Sequence, residues 1–305
     1  MKVLCFGSLN IDYVYPVPHF VTAGETLFSP ELGVFSGGKG LNQSVALARA
    51  GAEVWHAGAV GREGLFLIDE LKAAGVRTEL VEVFDGVCNG HAIIQRSADG
   101  ENCILLHGGA NRRIGREQID RTLARFQPGD VLLLQNEISE PLYLVERAVE
   151  CGLRVVLNPS PMEEGLLPIF PMADTLLLNE VEAAQFLGEE PGSSPERLAA
   201  EIRKRLPDAE LVLTLGVQGS LYQRGNVFLR QAAFAVPVAD TTAAGDTFTG
   251  YFLAASLLGK APVDALREAS AAAALAVSRP GAAPSIPARE ELAAFLARQE
   301  QEAPV

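Results

Sequence analysis

The sequence predicts an α/β fold: a mainly parallel central sheet covered by helices on both faces, with a small β-sheet lid set into it. Three observations carry that reading. Short apolar runs alternate with amphipathic helical patterns along most of the chain. The apolar runs are continuous, as strands covered on both faces require. Two stretches, 11–36 and 78–107, break the alternation with prolines, glycines and a two-residue period.

Taken in order, KVLCFG (2–7) is the first buried strand, followed by runs at 52–60, 130–135, 153–158, 174–179 and 210–216. Helical patterns lie between them at 38–51, 62–74, 115–126, 140–151, 180–188 and 194–206. The C-terminal third turns helical, rich in Ala and Leu, at 245–259, 262–279 and 288–299. In the lid stretches, GHAIIQR and NCILLH flank ADGE (98–101), the pattern of a hairpin. Nothing in 1–305 resembles a linker or a repeat, so the chain reads as a single unit ending in a polar tail.

Of 305 residues, 48% are hydrophobic and 21% charged, which excludes disordered and fibrous classes. Lys and Arg number 25 against 38 Asp and Glu, a net charge of −13. Such a surface repels nucleic-acid phosphates and anionic membranes, so neither is an expected partner, while a local basic pocket can still hold a small anion. No run approaches the roughly 20 apolar residues of a membrane span, and the N-terminal VLCFG is too short for a secretory signal. Cys5, Cys88, Cys103 and Cys151 are too sparse for a disulfide scaffold, so a cytoplasmic setting with reduced thiols is expected.

The strongest chemical motif is DTTAAGDTFTGYF, 240–252. Small residues lead into a helix whose first amides have no internal partners and whose dipole adds positive potential. Ala243, Ala244 and Gly245 leave those amides open to an anion, and Asp246 adds a carboxylate in the same turn. Amides that hold a phosphoryl group beside a carboxylate that accepts an alcohol proton are the equipment of phosphoryl transfer. An ordinary helix start capped by Thr241 or Thr242 explains the same letters.

A second exposed helix start is FSGGKGLNQSVALARAG, 35–51. GVFSGGKG (33–40) approaches a phosphate-binding P-loop, but Gly40 stands where the magnesium-binding hydroxyl belongs. Gln43 occupies the place of the third glycine of a dinucleotide site. Lys39 and Asn42 with free backbone amides suit a polyol, and a plain Gly-rich turn remains the other reading. After the first strand, Asn10 and Asp12 share one face of an extended segment, equipment for vicinal hydroxyls or an Asx turn. Cys88, His91, Cys103 and His107 approximate zinc spacing, but Cys88 and His91, three apart, would face opposite sides of a strand.

Together these pieces resemble the ribokinase-like (PfkB) carbohydrate kinase family. GGKGLN (37–42) resembles its N-terminal signature and DTTAAGDTF (240–248) its C-terminal one. The similarity extends through NID (10–12), GENCILLHGGAN (100–111), LNPSP (157–161), NEVE (179–182), TLGVQGS (214–220) and RPGAAPSIP (279–287). The resemblance implies a three-layer sandwich with a β lid, often dimerised through the lids, and ATP-dependent phosphorylation of a sugar hydroxymethyl. It implies Asp246 as catalytic base and Ala243, Ala244 and Gly245 as anion hole. Asn10, Asp12, Gly38, Lys39, Gly40, Asn42 and Glu137 fall where the sugar is held. Asn179, Thr214, Gly216, Gly219 and Ser270 fall on the nucleotide side, and Glu182 is implied to reach hydrated Mg²⁺. Asp240, Thr242, Ala276, Arg279, Gly281 and Ser285 match loop positions that hold an activating K⁺. Leu41 and Asn89 depart from the family pattern, and Tyr13 and Tyr15 place more aromatic surface by the lid than ribose needs. An unphosphorylated sugar, with ribose foremost, is the expected substrate. Another sugar, or a nucleoside stacked on Tyr13, Tyr15 or Phe28, is the alternative, and a non-catalytic sugar-binding protein a more distant one.

Overall fold

A computed structural model describes residues 1–98, 101–190, 192 and onward to 302. The strands are β1 (Val3–Phe6), β2 (Asn10–Pro16), β3 (Gly33–Gly37), β4 (Val54–Gly61), β5 (Arg77–Phe84), β6 (Gly90–Arg96) and β7 (Asn102–His107). They continue with β8 (Val131–Leu134), β9 (Arg154–Leu157), β10 (Thr175–Asn179), β11 (Glu210–Thr214), β12 (Ser220–Arg224) and β13 (Val227–Gln231). The helices are α1 (Lys39–Arg49), α2 (Leu65–Ala73), α3 (Arg116–Leu123), α4 (Pro141–Glu150) and α5 (Glu180–Leu187). They end with α6 (Pro195–Arg205), α7 (Ala244–Leu257), α8 (Pro262–Val277) and α9 (Arg289–Glu302).

The central sheet runs β13-β12-β11-β10-β9-β8-β1-β4-β5, parallel from β5 to β11 and antiparallel at β12 and β13. Side chains alternate between its faces. Val3, Cys5, Val131, Leu133, Val156 and Leu177 pack with α1, α2, α7, α8 and α9. Leu4, Phe6, Leu132, Leu134, Val155 and Leu176 pack with α3, α4, α5 and α6 on the other face. Two apolar faces on one strand explain the continuous runs in the sequence, and the three layers follow.

β1 lies between β4 and β8. The chain winds from β1 outward through β4 to β5, then returns to β8 and proceeds the other way. The carboxyl ends of β1 and β8 therefore flank a topological switch point, where open α/β sheets form their binding crevice. The segment after β1 meets the start of α1 there: a side chain at Gly40 would lie 2.5 Å from the Ser8 amide nitrogen, so only glycine permits this approach.

The lid is a four-stranded sheet, β3-β2-β6-β7. It differs from the expected 78–107 segment at one end. β5 pairs in parallel with β4 in the central sheet, and the second lid segment begins at Gly90. As an edge strand β5 is covered on one face, and so it shows the period-two pattern of a hairpin. Residues 220–231, not expected as strands, form the antiparallel edge. The centre of the ADGE turn (99–100) and the end of the tail (303–305) lie outside the described residues. Cys88 precedes β6, so strand alternation does not govern it, and its sulfur sits 3.3 Å from His107 Nε2. Among the described residues, no group of three or more His, Cys, Asp or Glu side chains is placed to hold a metal ion.

Candidate active site

α1 and α7 cross at very short range. A side chain at Gly250 would lie 2.4 Å from Ala46 Cβ and 2.8 Å from the Leu47 amide nitrogen. This crossing joins the two sequence motifs. Asn42 Nδ2 donates to Asp246 Oδ2 at 2.9 Å, and Gln43 Nε2 donates to Oδ1 at 2.8 Å. Gln43 Nε2 also reaches Asn158 Oδ1 at 2.8 Å, while its carbonyl accepts from Gln135 Nε2 at 2.6 Å. The buried Asp246 carboxylate is thus fixed from two sides by neutral donors.

Ala243, the residue before α7, has φ 59 and no side chain caps the helix. For a residue with a Cβ the left-handed conformation costs about 1–2 kcal/mol. Thr242 does not cap the helix as the ordinary reading expected. Its hydroxyl and its amide both donate to Asp240 Oδ1, at 2.5 and 2.9 Å. The start of α7 therefore meets a cavity of about 260 Å³ lined by Ala243, Ala244, Gly245, Asp246, Asn179 and Glu182, with Lys39 and Thr214 also on its wall. A larger apolar cavity of about 510 Å³ adjoins it, lined in part by Gly216, Gly219, Phe248, Ser270 and Ala273. Thr214, Thr241, Ala244 and Gly245 border both.

Asn179 caps α5, accepting from the Glu182 amide at 2.8 Å, and Glu182 Oε2 accepts from the Asn179 amide at 3.0 Å. This capping box fixes one Glu182 oxygen on the cavity wall.

Toward the lid, Asn10 and Asp12 occupy one face of β2, as expected. Asn10 Oδ1 accepts from Asn111 Nδ2 at 2.7 Å. Glu137 Oε2 accepts from the Lys39 amide at 3.2 Å and from the Ser8 hydroxyl. Gly38 precedes α1 with φ 96. Burial and the negative charges of Glu137 and Asp246 push the Asp12 carboxyl up to about 7. Burial also raises Glu137, against the opposing pull of the Lys39 ammonium. Lys39 is itself raised: burial disfavours its charge, but Asp246, Glu137 and Glu182 outweigh that. Four carboxyl groups, those of Asp12, Glu137, Glu182 and Asp246, share the cleft with one ammonium. Tyr13 and Tyr15 alternate onto the strand face opposite Asp12, where Tyr13 meets the His91 ring at 5.8 Å, and Phe28 is exposed.

Of the residues that the resemblance assigns to a monovalent cation, Asp240 meets Thr242 and Gly281. Ala239 and Asp240 amides donate to the Val277 carbonyl, and the Gly281 amide reaches Asp240 Oδ2 at 3.1 Å. The Arg279 amide donates to the Ala276 carbonyl at 3.1 Å, while its guanidinium turns away to Glu291. The Ser285 hydroxyl donates to the Ala282 carbonyl. Sequence reasoning missed Ser8, Gln43, Asn111, Gln135 and Asn158. Gln43, Asn111 and Asn158 had a signal, lying within or beside the quoted motifs GGKGLN, GENCILLHGGAN and LNPSP.

Residues 1–289 match the family described as pfkB family carbohydrate kinase. The chain is 35% identical over 297 residues to the ribokinase of Haemophilus influenzae, covering 95% of this chain and 96% of that one. It is similar to the crystal structure of ribokinase from Cryptococcus neoformans in complex with ADP, with TM-score 0.83, 34% identity and coverage of 96% and 98%. It is likewise similar to the Arabidopsis thaliana ribokinase complexed with ribose and ATP, with TM-score 0.83, 28% identity and coverage of 97% and 98%.

Proposed function

The chain belongs to the pfkB family of carbohydrate kinases, and from that premise we propose that it transfers the γ-phosphate of ATP to the hydroxymethyl group of ribose, forming ribose 5-phosphate. The single observation that carries this reading is the fixed Asp246 carboxylate beside the uncapped start of α7, between a polar lid and an apolar cavity. The likeness to relatives named ribokinase, one of them complexed with ribose and ATP, supports the sugar.

Asn10, Asp12, Gly38, Lys39, Gly40, Asn42 and Glu137 hold the sugar hydroxyls. Asp246 accepts the proton of the attacking hydroxymethyl, and Asn42 and Gln43 keep its oxygens aimed. The backbone at Ala243, Ala244 and Gly245 offsets the charge that develops on the transferring phosphoryl group. Adenine occupies the apolar cavity by Gly216, Gly219 and Ser270, with Asn179 and Thr214 toward the phosphates.

Mg²⁺ supplies charge neutralisation on the phosphates. Glu182 lies on the wall of the polar cavity, where it would reach a hydrated ion through one of its waters. The carboxylate of Asp240, the carbonyls of Thr242, Ala276, Arg279 and Gly281, and Ser285 form an oxygen-rich set suited to K⁺, which would fix the loop before α7. We read residues 1–305 as one domain, working as a homodimer. The exposed Val34, Phe35, Ile104, Leu105 and Leu106 of the lid sheet support a second copy as its cover. Free cysteines are consistent with the proposed cytoplasmic setting, and no described helix is long and apolar enough to cross a membrane.

The test is ADP release across pentoses, hexoses and nucleosides with MgATP and K⁺. Ribose should give the highest kcat/KM, and preference for a nucleoside by orders of magnitude would overturn the assignment.

A further inference from the structure

Among the described ion pairs, one joins the lid sheet to the α/β body: Arg96 Nη2 donates to Asp240 Oδ2 at 3.3 Å. Arg96 ends β6, in register with Pro16 of β2. It follows Gly90, Ala92 and Ile94 at two-residue steps, so it stands on the same lid face, the face that also carries Asn10 and Asp12. Ala92 and Ile94 are buried there with Val14. The guanidinium also reaches Asn102 Oδ1 at 3.4 Å, on β7.

Asp240 is the residue on which the loop before α7 is built. Its Oδ1 takes both Thr242 donors, and its Oδ2 takes the Gly281 amide and Arg96. A carboxylate has about four acceptor positions, and here all four are engaged. The Asp240 side chain is 8% exposed against 39% for Arg96, so the charge that balances this buried carboxylate arrives from the more exposed lid partner.

We infer that Arg96 is a positioning residue whose guanidinium supplies, at Asp240, the positive charge that a monovalent cation would otherwise supply. The inference rests on the cation-site reading above. Two cations within a few ångströms of one carboxylate repel each other, so Arg96 and K⁺ compete. When the lid carries Arg96 onto Asp240, the loop leading to Ala243 is held without an ion. When Arg96 is lost, the carboxylate is left to the ion alone.

The test compares wild type, Arg96→Gln and Arg96→Lys at matched ionic strength. Thallium(I) NMR and melting temperature in K⁺ against tetramethylammonium report ion binding without turnover. Arg96→Gln should bind thallium(I) tenfold or more tightly than wild type and gain a larger K⁺-dependent rise in melting temperature. Its kcat should become strongly K⁺-dependent, and Arg96→Lys should restore wild-type behaviour in all three measurements. Equal thallium(I) affinity in wild type and Arg96→Gln would overturn the role of Arg96 and leave the cation site standing. No thallium(I) binding in either protein would overturn both.

Discussion

Replacing Gly250 with alanine tests whether the α1–α7 crossing sets the geometry of the site. On propensity alone the change should stabilise α7 by about 1 kcal/mol. The structure reverses that sign. The new Cβ would lie 2.4 Å from Ala46 Cβ, 2.8 Å from the Leu47 amide nitrogen and 3.0 Å from the Ala46 carbonyl carbon. Carbon atoms pack at roughly 3.5–4.0 Å, so the helices must part by about 1 Å. Two of the three obstacles are backbone and cannot rotate away. Overpacking of this kind costs about 1–3 kcal/mol, which cancels the propensity gain or exceeds it by up to about 2 kcal/mol. Asn42 and Gln43 lie one turn from the clash, and their bonds to Asp246 measure 2.9 and 2.8 Å. Parting by about 1 Å takes both out of hydrogen-bond range. Misplacement of that size costs on the order of 100-fold in rate, so kcat should fall about 10- to 100-fold. Urea unfolding and ADP release measure the two effects. Adding Ala46→Gly removes the closest contact and should recover part of the rate. A Gly250→Ala protein that is more stable than wild type, with kcat within about twofold, would refute the reasoning.

Asp246→Asn should lower kcat by about 100- to 10,000-fold while ATP still binds by calorimetry; near wild-type turnover would remove Asp246 as base. Gln43→Met deletes the donor shared by Asp246 and Asn158, and kcat should fall about 10-fold or more with the sugar KM little changed, as read from initial rates. Glu137→Ala should raise the sugar KM far more than the ATP KM, and equal effects would move Glu137 out of the sugar site. Asp12 titrates near 7 in the folded protein. It keeps a proton that the unfolded chain has released, so its contribution to stability falls as pH rises from about 4 to 7. Sugar hydroxyls need the ionised form as acceptor, so kcat/KM for the sugar should rise through pH 7 and then level, and Asp12→Asn should lack that limb.

Much of this protein is local in origin and therefore legible in its sequence. Continuous apolar runs such as Val131–Leu134 are buried on both faces, and that requirement alone separates them from surface strands. The start of α7 is marked by small residues beside Asp246, because an open helix terminus needs both. Asn10 and Asp12 share a face because a strand has a period of two. The same period misplaced β5, since an edge strand and a lid hairpin expose one face alike, and pairing partners decide between them. It did not apply to Cys88, which lies outside a strand. Thr242 could have capped α7, and only the position of Asp240 shows that its hydroxyl goes elsewhere.

By itself the sequence determined the layered α/β architecture and the residue types at each end of the site. Periodicity and terminus chemistry act over a few residues and leave their mark there. The tertiary structure alone decided which of those residues meet. Gln43 and Asp246 are 203 positions apart, and Arg96 and Asp240 are 144 apart. Whether such pairs meet is set by how closely two helices cross and where a lid strand ends, and both depend on packing summed over the whole core rather than on any local pattern.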